Sequence, residues 1–60
     1  MSSKAKLKRA LSSIDDATSA LQRALQSADD NGIMYIRRAI SELEDAETGI
    51  KRAIRELPDE

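Results

Sequence analysis

Glu44 and Glu47 stand three residues apart, a spacing that puts two carboxylates on one face of a helix. Carboxylates so placed supply part of the ligand set of di-iron helical bundles, which also needs Glu-x-x-His motifs. This chain has no His and no Cys. The rest of that set is missing, and zinc lacks its usual nitrogen and sulfur ligands. There is no glycine-rich phosphate loop, and a chain of 60 residues has little room for a pocket of normal size. The expectation is no catalytic residue, no metal ligand and no cofactor, and the chain does not read as an enzyme.

Glu47 raises a second question, because it interrupts a hydrophobic rhythm. Ile33, Ile36, Ile40 and Leu43 precede it at helical spacing, and Ile50, Ile54 and Leu57 follow. An aliphatic residue is due at 47. The first half of the chain carries the same beat at Leu7, Leu11, Ile14, Leu21 and Leu25, with Thr18 in the missing place. Alternating steps of three and four sustained this long predict two helices with coiled-coil packing.

The elements follow from punctuation. "SADDNGI", Ser27 to Ile33, gathers turn and cap formers, and Pro58 ends the second helix. The first helix is expected over about Ser3–Ala28 and the second over about Ile33–Leu57, each roughly 40 Å long. Residues 29–32 form the turn. Gly32 is available for a positive φ there, and Asp30 or Asn31 caps the second helix. A frayed tail follows at 58–60. The fold class is all-α, a single antiparallel hairpin domain over residues 1–60.

A second periodicity lies beside the first. Ala10, Ala17 and Ala24 recur every seven residues, as do Ala39, Ala46 and Ala53, each just before a seam residue. Each helix therefore has two adjoining seams, the face of a helix with two neighbours. The hairpin supplies one neighbour and a second copy the other. The expected assembly is a homodimeric four-helix bundle. The dimer and core seam is Leu7, Ala10, Leu11, Ile14, Ala17, Leu21, Ala24, Leu25, Ile36, Ala39, Ile40, Leu43, Ala46, Ile50, Ala53, Ile54 and Leu57. Association also suits a chain too short to stabilise itself readily and without disulfides. Gly49 lies mid-helix on the outer face, and a flank with Ala5, Ser12, Ser13, Ser19, Ala20 and Ser27 reads as a smooth solvated strip.

With facing residue numbers adding to about 64, Thr18 and Glu47 fall in one layer. Three readings stand side by side. Glu47 snorkels to water, toward Lys51 one turn on. Alternatively it is a buried polar layer in which the Thr18 hydroxyl donates to the carboxylate and penalises wrong registers. The third is a functional carboxylate.

Composition narrows the partners. Charged residues are 35% of the chain and the net charge is −1. Lys4, Lys6, Lys8, Arg9, Lys51, Arg52 and Arg55 gather at the open end against Glu56, Asp59 and Glu60, a local +4, and the remainder carries −5. Of these, Lys4, Lys8, Arg9, Lys51, Arg52 and Arg55 are candidate contacts for an acidic partner. Nucleic acid is the alternative partner, set back by the lack of aromatics to stack on bases. Tyr35 is the sole aromatic. With Met34 it lies beside the turn, where the two cover the loop, pack at the dimer edge or meet a protein partner. Loop packing is the expectation. No apolar run spans a membrane and "MSSKAKLKRAL" is no secretory leader, so a cytoplasmic location is expected. The reading is a small structural, assembly or adaptor protein. In overall plan the chain resembles the Rop family of RNA-binding dimeric hairpins. That likeness covers architecture and no motif. It implies a dimer of hairpins, while RNA binding does not carry over, because helix 1 lacks that family's aromatic and polar–basic face.

Overall fold

The chain folds back on itself because two helices each carry one aliphatic stripe. In the computed structural model, which describes residues 2–58, α1 is Ser3–Leu25 and α2 is Asp30–Glu56. They pack against each other as a hairpin. Of the expected tail, residues 59 and 60 lie outside the described residues.

Each helix end has a local cause. At the start of α1 the Ser2 hydroxyl accepts a hydrogen bond from the Ala5 amide at 3.0 Å, satisfying one of the free N–H groups of the first turn. Pro58 disfavours helical backbone at the residue before it, and Leu57 is extended at ψ 140.

The turn falls three residues earlier than its composition suggests. Helix α1 stops at Leu25 rather than Ala28, and α2 begins at Asp30 rather than Ile33. Asp29 is the reason. Its backbone is extended, and its carboxylate accepts from the Gly32 amide at 2.8 Å, so it caps α2 in place of Asp30 or Asn31. Upstream, the amides of Gln26, Ser27 and Ala28 bond to carbonyls three residues back, at 3.2–3.4 Å, tightening the exit from α1. Gly32 is helical, with no positive φ. A Cβ there would stand 3.2 Å from the Asp29 carboxylate and 3.3 Å from the Ala28 methyl. Glycine serves crowding under the cap rather than chain reversal.

The leucines and isoleucines of both seams are half-buried, and so are Thr18 and Glu47 in the two interrupted places. None of the described residues is fully buried. The hairpin measures 46 × 16 × 10 Å with a radius of gyration of 14.1 Å, against roughly 10 Å for a compact chain of this length. Its surface is 4617 Å², where a compact monomer of this mass exposes roughly 3,900 Å². One layer of two helices has an inner line of contact but no interior.

Candidate functional site: the two flanks of the hairpin

The interruption at Glu47 belongs to a polar cluster on one flank. Glu47 is 26% exposed at its side chain, and its carboxylate meets the Lys51 ammonium at 2.9 Å. Across the hairpin the Asp15 carboxyl stands close enough to interact with it. Thr18 does not complete a layer with it. The Thr18 hydroxyl donates instead to the Ile14 carbonyl one turn back, at 2.9 Å. Of the three readings, the Thr18-to-Glu47 hydrogen bond is absent because the Thr18 hydroxyl is spent on Ile14, and the half-exposed Glu47 pairs with Lys51 as the snorkelling reading has it.

Each charge has a physical cause. The hydrogen bond with Glu47, and then Coulombic repulsion from it, hold the Asp15 carboxyl above its ordinary range. The hydrogen bond to Lys51, followed by that to Asp15, pulls Glu47 below its ordinary range. Lys51 is raised by its hydrogen bond to Glu47. The pattern is that of one proton preferring Asp15 while Glu47 stays ionised against a cation. Asp15 is the residue that sequence reasoning missed. Its signal was its place directly after the seam residue Ile14, on the rim facing α2. The proximity of Asp15 and Glu47 places residues whose numbers add to roughly 62 near one height, close to the expected 64.

The alanines lie on the other flank. Each precedes a seam residue, whereas Asp15 and Lys51 follow one, and in an antiparallel pair those two sets border opposite sides. Ala10, Ala39 and Ala53 are half-buried; Ala17, Ala24 and Ala46 are exposed. The expected strip of small residues on helix 1 divides. Ser13, Ala20 and Ser27 border the alanine flank, while Ala5, Ser12 and Ser19 lie further round. A Cβ at Gly49 would meet nothing within 4 Å.

Met34 and Tyr35 do not cover the loop. Each is 72% exposed. With Asn31 and Arg38 they line a shallow groove of about 220 Å³ on the outer side of α2. They sit one and two residues past the seam residue Ile33, which turns them outward.

The charges form bands along the hairpin. Basic residues occupy the open end, and Lys4, Lys6, Lys8 and Arg9 are spread round α1 rather than along one face. Asp15, Asp16, Glu42, Glu44, Asp45 and Glu47 make an acidic belt at mid-height, with Arg23, Arg37 and Arg38 beyond it toward the turn. Among the described residues, no group of His, Cys, Asp and Glu is arranged to hold a metal ion. Among the described residues no helix is long and apolar enough to cross a membrane.

These features define a two-helix hairpin with one polar and one alanine flank. The chain matches no protein-family model, no curated protein and no solved structure.

Proposed function

We propose that the chain acts as a homodimeric four-helix bundle, a structural, assembly or adaptor module without catalysis. One observation carries the reading. Every leucine and isoleucine of the seam, from Leu7 to Leu57, remains half-exposed in the hairpin, and none of the described residues is buried. Apolar area left in water favours association at roughly 25 cal/mol per Å². The exposed alanines Ala17, Ala24 and Ala46 lie beside that seam and let a second layer approach closely. Sedimentation equilibrium at micromolar concentration tests it. A species of about 13 kDa, twice the chain mass, is expected. A folded species at 6.6 kDa overturns the reading.

The alternative of a nucleic-acid regulator has weaker support. Cations spread round α1 do not line up against a phosphate backbone. A gel shift with mixed RNA and duplex DNA at low salt tests it, and retarded bands that vanish with added salt would favour that alternative.

A further inference from the structure

Gly49 is unexplained by the hairpin. A glycine in mid-helix is unfavourable, and the space beside it is open, so nothing within the chain requires it. It lies on the alanine flank, in a row that repeats every seven residues: Tyr35, Glu42, Gly49, Glu56. The matching row of α1 is Lys6, Ser13, Ala20, Ser27. Both rows form the outer margin of the same flank.

The register set by Asp15 and Glu47 pairs these rows. Residues whose numbers add to about 62 share a height. Tyr35 is then level with Ser27, Glu42 with Ala20, Gly49 with Ser13, and Glu56 with Lys6. Three pairs match a residue of one row to a small residue of the other, and the fourth joins opposite charges. Within one hairpin the rows stand on its two outer edges, too far apart to touch. They meet only if a second hairpin is laid face to face with both turns at the same end. A two-fold axis along the helices then brings each row of one copy against the other row of its partner, at equal height.

We infer that the alanine flank seats a second copy of this chain in that orientation, with Tyr35 over the partner's Ser27, Gly49 against the partner's Ser13 and Lys6 paired with the partner's Glu56. This rests on the dimer proposed above and adds its geometry. The opposite orientation, turns at opposite ends, sets each row against itself. It leaves Lys6 without an acid and puts every large residue of the α2 rows on one side of the bundle and the small residues of the α1 rows on the other. The area also suffices. A face of 46 × 16 Å offers about 700 Å² per copy, or about 1,500 Å² in total, within the range of stable specific interfaces. Tyr35, 72% exposed in the hairpin, gains a cover.

The chain has no Cys, so a single spin label at Gln26→Cys reports one distance per dimer by pulsed dipolar spectroscopy. With turns together the labels, both beside the turn, lie about 20–30 Å apart, a few interaxial spacings plus the label arms. With turns opposed they are separated along the bundle by about 30 Å of helix before any lateral offset, and the distance exceeds about 35 Å. The short distance supports the inference. The long distance overturns the orientation and leaves the dimer standing. No dipolar signal from folded protein overturns the dimer itself. A charge swap checks the register without a label. Lys6→Glu is expected to weaken association several-fold, and adding Glu56→Lys to restore it. A double variant no tighter than Lys6→Glu alone overturns the pairing.

Discussion

Asp15 of α1 and Glu47 of α2 face each other across the hairpin as an interacting carboxyl pair, and Lys51 holds Glu47 at 2.9 Å. The pair explains how a hydrophobic seam tolerates a carboxylate. Glu47 stays at the rim, keeps contact with water and takes its partners from the polar flank. The cost of full burial is avoided.

The two carboxyls pull the pH dependence in opposite directions. Asp15 is raised, so its contribution to stability is fully present below its ordinary value of 3.8 and is lost as pH rises through its folded value. Glu47 is lowered, so its contribution is present above 4.5 and is lost as pH falls through its folded value. Once pH rises above its folded value, Asp15 is ionised beside Glu47 and their repulsion opposes folding. Asp15→Asn keeps a donor to Glu47 and removes that charge. Its melting temperature should exceed that of the parent at pH 7, with the gap closing as pH falls toward 4. Thermal unfolding followed by circular dichroism from pH 3 to 7 reads this, and an equal or lower midpoint at pH 7 would refute it.

Glu47→Leu restores the aliphatic beat. The melting temperature should rise by several degrees, because a methyl-bearing side chain continues the contact between Leu43 and Ile50. The defined oligomer should broaden into more than one species, since the polar step that marks the register is gone. Thermal melts and light scattering on one sample read both. A lower melting temperature would show that the carboxylate contributes more in place than the seam loses by it.

Asp29 governs where α2 begins. Asp29→Ala removes the acceptor of the Gly32 amide and should destabilise the chain by about 1 kcal/mol, while Asp29→Ser retains most of the cap. Urea titration gives the difference. An Ala variant as stable as the parent would mean that the turn is held by something other than this cap.

Gly49→Ala separates the hairpin from its assembly. Helix propensity alone favours Ala by about 1 kcal/mol, and the hairpin offers no obstacle. Against a partner's backbone the added methyl should raise the dissociation constant. Sedimentation measures association and circular dichroism at high dilution measures helicity. Tighter association in the Ala variant would count against a close contact at this position.

Much of the hairpin was legible in spacing. Leu7 to Leu25 and Ile33 to Leu57 recur at steps of three and four, and that periodicity alone requires two helices with one stripe each. Pro58 marks one of the ends through local chemistry that any chain would feel. The turn was legible only as a region. Asp29, Asp30 and Asn31 are all good caps, and the choice of Asp29 followed from fitting its carboxylate over Gly32 beside the Ala28 methyl.

The sequence by itself determined the helices, their stripes and the fact that Thr18 and Glu47 break them. Only the tertiary structure decided what those breaks do. Thr18 turns its proton back to Ile14 within its own helix, and Glu47 reaches outward to Asp15 and Lys51. Periodicity records which face a residue occupies, because the helix repeat is fixed. It does not record the height at which two helices stop sliding past each other. That height depends on where the turn closes, and it set Glu47 beside Asp15 while the Thr18 hydroxyl bonded within its own helix.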